Sequence, residues 1–314
     1  MTEMRPHYRS VASDNRRWEG FRFRPGDIVI STPPKCGTTW LQMICGLLIF
    51  QDPKFDRPLA EISPWLDMVI RDRAEVFALL EAQRHRRFIK THTPLDGLPL
   101  DERVTYVCVG RDPRDVAVSW DHHFANMDLD AFFAARMKTM GLEDLAELAA
   151  LDPPPTGETL EERFWHWMDN PAPPEHTASS LRSTLHHFDE ALRASDRANV
   201  VVLHYGDLKA DLEGEMRRLA DRLAIVVPED RWPALVEAAS FDRMRERADE
   251  LVPNSTDALW KENRGFFNGG PGGEWREFFG EEARRRYEER VAALARPAVA
   301  AWAHAGWRGA PGAR

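Results

Sequence analysis

The chain has 314 residues, 43% of them hydrophobic, and 42 basic against 51 acidic side chains leave a net charge of −9. That length can bury a large core in one α/β domain, and the acidic balance argues against a nucleic-acid partner, since phosphate backbones require a basic face. The three cysteines, Cys36, Cys45 and Cys108, form no disulfide framework and fit a reducing compartment.

The N-terminal MTEMRPHYRS has no apolar signal core. The longest apolar run, near Ile44 to Phe50, falls far short of the ~20 residues that span a bilayer. A cytoplasmic protein without a transmembrane segment is expected. GDIVIST (Gly26 to Thr32) reads as a buried strand: it is short, β-branched and bounded by Gly and Pro. Trp40 to Phe50 follows with helical spacing. A short strand is expected around Phe88 to Ile89, then a Pro/Gly loop. VTYVCVG (Val104 to Gly110) is a second buried strand, and RDPRDVAVSWDHHF turns from it into a helix with Pro113 in the first turn. Pro-rich loops bracket a helical insertion at about 125–190. Strand Val200 to His204 leads into a helix over Leu208 to Leu223. Asn263 to Trp275 is a Gly-rich loop. Strands alternating with helices predict α/β architecture with a mostly parallel central sheet and helices on both faces. No internal repeat and no linker interrupts 1–314, so a single domain is expected. The clusters RHRR (Arg84 to Arg87) and RRR (Arg284 to Arg286) read as solvated helix faces.

The informative stretch is IVISTPPKCGTTWLQM, Ile28 to Met43. A strand ends in two prolines, and a lysine, a glycine and two threonines precede a helix. In doubly wound sheets ligands sit at the carboxyl ends of the strands. Backbone N–H groups and the helix dipole there suit an anion. Gly37 would let the backbone approach closely, Lys35 supplies charge, and Thr38 and Thr39 supply hydroxyls. The plain alternative is a strand–turn–helix with a capping threonine. The loop is not GxxxxGK[ST], because Gly37 follows the lysine. No apolar run ending in Asp stands ready to hold Mg²⁺, so a P-loop-type kinase loses its main support.

PPKCGTTW resembles the 5′-phosphosulfate loop of the soluble sulfotransferase family, usually a Pro-Lys-Ser-Gly-Thr-Thr-Trp run. YVCVGRDPRDVAVSW (Tyr106 to Trp120) is similar to its 3′-phosphate segment, KTHTPLDGLP (Lys90 to Pro99) to the stretch with the catalytic histidine. SPWLD (Ser63 to Asp67) and FFNGGPGGEW (Phe266 to Trp275) match in kind and order. The likeness runs from about residue 20 to 290, and the phrasing is closest to actinobacterial members described as glycolipid sulfotransferases.

The resemblance implies a P-loop-like phosphosulfate loop and 3′-phosphoadenosine 5′-phosphosulfate (PAPS) as donor. Lys35, Cys36, Gly37, Thr38 and Thr39 would hold the 5′-phosphosulfate, and Arg111 and Ser119 the 3′-phosphate. Trp40 and Phe241 would sandwich the adenine and Tyr205 bond its edge. His92 would be the general base, with Lys35 and Lys90 at the transferring group. The loop at about 253–275 would cover the nucleotide, Asn268, Gly269 and Gly270 lying at its 3′-phosphate. The chain departs from the family pattern twice there: Cys36 replaces a serine, and Asn268 to Gly270 replace Arg-Lys-Gly. Arg264 is a candidate to restore the lost charge. The family's C-terminal dimer signature is missing from WREFFGEEARR, which leaves the oligomeric state open. The acceptor would be a small molecule or glycolipid, lined by residues from Phe124 to about Trp167; peripheral membrane contact is left open. His122–His123, His186–His187 and Cys36 lack ligand spacing, so no metal is expected; His123 either borders the acceptor pocket or is structural. The rival to an active enzyme is a catalytically inactive nucleotide-binding relative.

Overall fold

The computed structural model describes residues 5–141, 157–252, 259–267 and 272–309. Four strands, β1 (Ile28–Ser31), β2 (Phe88–Thr91), β3 (Thr105–Gly110) and β4 (Val200–His204), form one sheet in the order β2-β1-β3-β4. Every pairing is parallel, with Ser31 opposite Thr91 and Cys108, and Gly110 opposite His204. Because the strands run the same way, their carboxyl ends share one edge of the sheet. That edge collects the residues that follow each strand: Thr32, His92, Arg111 and Tyr205.

Both faces of the sheet are covered. Val29, Ile89, Tyr106, Cys108, Val200 and Val202 pack on one side against Leu185, Phe188 and Trp302. Ile28, Ile30, Phe88, Val107, Val201 and Leu203 pack on the other against Leu41, Ile44, Met216 and Leu219. The period-two alternation of apolar residues along each strand explains why a continuous β-branched run supplies two cores.

The helices follow the expected pattern with adjustments. Thr38–Phe50 runs from the loop after β1, and Pro113–Asn126 follows β3 with its proline in the first turn and the Asp112 carboxylate accepting from the Arg114 N–H. The expected helix over Leu208 to Leu223 is two helices, Tyr205–Ala210 and Leu212–Arg222. The chain turns at Asp211 (φ −153°, ψ 78°), whose carboxylate accepts from the Gly214 N–H at 2.9 Å; aspartate favours an N-cap over a helix interior. Within the expected insertion stand helices Leu129–Met140, Leu160–Asp169 and Leu181–Arg193. The last helix, Pro297–Gly309, carries the fully buried Trp302 against Phe188 and His204. Trp302 also lies so close to Gly110 that any Cβ there would overlap its ring.

Candidate active site

The loop after β1 turns on two residues in left-handed backbone, Lys35 (φ 66°) and Gly37 (φ 98°). A Cβ on Gly37 would come within 3.0 Å of the Tyr205 ring, so glycine answers both the conformation and the close approach. The helix starts at Thr38, and its first backbone N–H groups have no intrahelical partner. Thr38 Oγ1 lies 2.6 Å from Thr32 Oγ1, which fixes the rotamer beside the loop. Lys35 Nζ is 3.2 Å from His123 Nδ1 and 4.9 Å from the Phe266 ring centre. Withdrawal from water, then the charges of Arg111 and Lys90, pull its ammonium down to about 7.

Cys36 departs from expectation. Its side chain is 0% exposed within the core beside Val29 and Leu66, and burial pushes its thiol up to about 12. Its N–H is spent on the Pro33 carbonyl at 3.4 Å. A small apolar side chain fits that inward position, so cysteine in place of serine removes no hydroxyl from the cavity.

Arg111 and Ser119, from the end of β3 and the following helix, line the same cavity as Lys35. Arg111 Nη1 donates to the Lys35 carbonyl at 2.8 Å, and its guanidinium lies 4.5 Å over the Tyr205 ring. Its buried Nε has no hydrogen-bond partner. The acids beside it are engaged elsewhere: Asp112 pairs with Arg114 at 2.7 Å, and Asp115 accepts from the Gly273 N–H and Trp275 Nε1 at 2.8 and 2.9 Å. A buried, charged donor without a partner is costly unless a ligand supplies the acceptor. Trp40, Tyr205 and Phe241 stand on the same wall, Trp40 held by its Nε1 donating to the Ala239 carbonyl at 2.7 Å.

His92 follows β2 and faces the cavity. Its Nδ1 is 2.7 Å from the Thr32 carbonyl. A carbonyl only accepts, so Nδ1 carries the proton and a neutral ring leaves Nε2 as a bare lone pair. Burial, then the Lys90 charge, holds its pKa well below the usual histidine range, which keeps the ring neutral. Lys90, 6% exposed, lies with its Nζ 4.2 Å over the Trp65 ring, and burial pulls it down to about 8. Lys35, Lys90, His92, Arg111 and Ser119 thus surround one cavity of about 210 Å³.

Beyond His92 the cavity becomes apolar, walled by Met68, Trp120, Met127, Phe132, Leu259 and Trp260. Ser10 to Ser13 of the N-terminal segment close it, a contribution without any signal in the sequence. The expected lining over Phe124 to Trp167 is only partly present. Met127 and Phe132 reach the cavity, but Phe164 and Trp167 are buried in the core, because that helix packs between neighbouring helices and Phe164 turns onto Phe278 and Phe279. His123 borders the cavity, packed against Trp260 and Phe266 and kept neutral chiefly by burial. Arg264 is exposed on the short helix Asn263–Phe266; Asn268, Gly269 and Gly270 lie outside the described residues. Among the described residues, no cluster of three or more His, Cys, Asp or Glu could hold a metal, and no helix is long and apolar enough to cross a membrane.

A parallel sheet whose carboxyl edge opens onto a cationic, histidine-bearing cavity defines an α/β enzyme that handles anions. The family model of the sulfotransferase domain matches residues 25–297. A glycolipid sulfotransferase of Mycobacterium tuberculosis is 44% identical over 96% of this chain and 95% of its own. Rat sulfotransferase 1A1 is 26% identical over 87% of this chain and 86% of its own. The chain belongs to the sulfotransferase family, and it is an enzyme of that class. The fold agrees with a retinol dehydratase solved with retinol and PAP (TM-score 0.66, 21% identity, 90% of this chain and 86% of that one). It agrees equally with a mouse sulfotransferase solved with PAP (TM-score 0.64, 19% identity, 88% and 86%).

Proposed function

We propose that the chain moves a sulfuryl group from PAPS to a hydroxyl on a glycolipid or other apolar alcohol or phenol, in the cytoplasm. The observation that carries this reading is the meeting of a neutral His92, bare at Nε2, with Lys35, Lys90 and the unpartnered Nε of Arg111 around one cavity. PAPS supplies an activated sulfur–oxygen bond to its 5′-phosphate. Lys35, Gly37, Thr38 and Thr39 hold the phosphosulfate by charge, hydroxyls and open helix amides. Arg111 and Ser119 hold the 3′-phosphate, with backbone N–H groups of Asn268 to Gly270 added on sequence grounds. Trp40 and Phe241 flank the adenine beside Tyr205. His92 Nε2 takes the acceptor's hydroxyl proton as the acceptor oxygen bonds to sulfur. The bond from sulfur to the phosphate oxygen breaks, and Lys35 stabilises the charge left on that oxygen. Lys90 neutralises the sulfuryl oxygens. The name of the mycobacterial relative and the apolar wall favour a lipid acceptor. The test is transfer of radiolabel from donor to phenols, steroids, sugars and glycolipids. Label is expected in the lipid fraction; Mg²⁺-dependent ATP turnover without sulfuryl transfer would overturn the reading in favour of a kinase.

A further inference from the structure

The residues that flank His92 are tied to one buried carboxylate. Asp67 is 0% exposed, and four donors converge on it. Trp65 Nε1 donates to its Oδ1 at 2.6 Å. Trp18 Nε1, Thr91 Oγ1 and Thr93 Oγ1 donate to its Oδ2 at 3.2, 2.5 and 2.7 Å. Burial pushes the Asp67 carboxyl up while these bonds draw it back. The two threonines bracket His92 in the chain. Trp65 stands on the cavity wall, where it meets His92 edge-on at 4.6 Å between ring centres and offers its face to Lys90 Nζ at 4.2 Å. The main chain repeats the link: the Lys90 N–H donates to the Pro64 carbonyl at 3.0 Å, and the Leu66 N–H to the Lys90 carbonyl at 3.2 Å.

Scaffolding alone does not require this arrangement. Trp18 and the threonines hold the buried segment together, whereas Trp65 is only half-buried and its indole fills no core cluster. Its Nε1–H bond fixes a ring that meets both groups placed at the reacting centre. An indole face attracts an ammonium, and a clamped ring confines that ammonium in a way a mobile one cannot.

We propose that Asp67 and Trp65 form a positioning pair for sulfuryl transfer: Asp67 locks the indole through Nε1, and the indole sets the Lys90 ammonium over its face and the His92 ring at nearly a right angle to it. The pair acts on the transition state and leaves the nucleotide pocket alone. This inference rests on the assignment of His92 and Lys90 under the proposed function.

The test uses the full chain, with radiolabelled PAPS as donor, 2-naphthol and an alkyl glucoside as acceptors, and calorimetric binding of adenosine 3′,5′-bisphosphate. Trp65→Leu should lower kcat at least about thirtyfold, and Trp65→Phe, which keeps a ring without the tether, about three- to tenfold. Both should bind the bisphosphate within about twofold of wild type. In Asp67→Asn the three donors on the far side claim the amide carbonyl and turn its NH2 to Trp65 Nε1, so kcat should fall at least about tenfold, and adding Trp65→Phe should cost no more than about twofold further. A kcat within about twofold of wild type in Trp65→Leu, or a loss of bisphosphate affinity equal to the loss of kcat, overturns the proposal. If Asp67→Asn does not fold, the two Trp65 variants decide alone. His92→Ala, assayed alongside, separates the two failures: wild-type turnover in that variant sinks the underlying assignment, whereas an inactive His92→Ala beside an unimpaired Trp65→Leu sinks only the positioning pair.

Discussion

The two halves of the cavity are built in opposite ways. The proposed donor side comes from short contiguous runs, Lys35 to Trp40 and Arg111 to Ser119, set at the ends of adjacent parallel strands. The proposed acceptor side is gathered from Ser10 to Ser13, Met68, Met127, Phe132, Leu259, Trp260, Phe266 and Phe267, which no single strand or helix unites. The first half needs fixed charges at fixed spacing, and a strand end followed by a helix provides them rigidly. The second needs only apolar surface, which many segments can supply. Change of acceptor is therefore open to substitution at scattered positions, while the donor side has few alternatives.

The largest expected effect lies where the halves meet. His92→Ala should lower kcat by about 10²–10⁴ and leave bisphosphate affinity nearly intact; single-turnover kinetics beside calorimetry checks both. Arg111→Ala confines the loss to the donor side. It should weaken adenosine 3′,5′-bisphosphate about ten- to a hundredfold and adenosine 5′-phosphate hardly at all. Equal loss for both nucleotides would remove the 3′-phosphate from Arg111.

A smaller effect comes from pH. The ammonium of Lys35 titrates near 7 when no anion is bound, and a bound phosphate favours its charged form. Above that value the protein must take up a proton to bind. Affinity for the bisphosphate should therefore fall severalfold as pH rises from about 7 to about 8. Calorimetry in buffers of different ionisation enthalpy measures that uptake, and a flat affinity with no uptake contradicts it. On the acceptor side, Met127→Ala should raise acceptor KM about three- to tenfold with bisphosphate affinity unchanged, measured with the acceptor that carries most label. A change in nucleotide affinity instead would mean that the two halves are not separable.

The meeting of Lys35, Thr38, Thr39, Arg111 and Ser119 around one cavity was legible because a strand–loop–helix turn constrains sequence locally. A left-handed glycine, a lysine and two hydroxyls before a helix leave few structural readings, and the strands around them are short and β-branched. Spacing alone does not say which loop side chains turn inward, as Cys36 does. Phe164 and Trp167 were misplaced for a related reason: aromatic residues at helical spacing look alike whether they face a core or a cavity. The N-terminal wall had no local pattern, since its place depends on bonds to distant partners such as Asp14 N–H to the Asp67 carbonyl at 2.9 Å. The SPWLD stretch carried a signal of order and resemblance, but the convergence of four donors on Asp67 exists only in three dimensions.

The contact of Trp302 with Gly110 has a consequence for synthesis. The glycine ends the strand that presents Arg111, and the ring that covers it belongs to the last helix. A nascent chain has made every cavity-lining residue named above before it makes that cover. Until that helix docks, the sheet face behind the cavity lacks this cover, and closing so long a loop comes late and slowly.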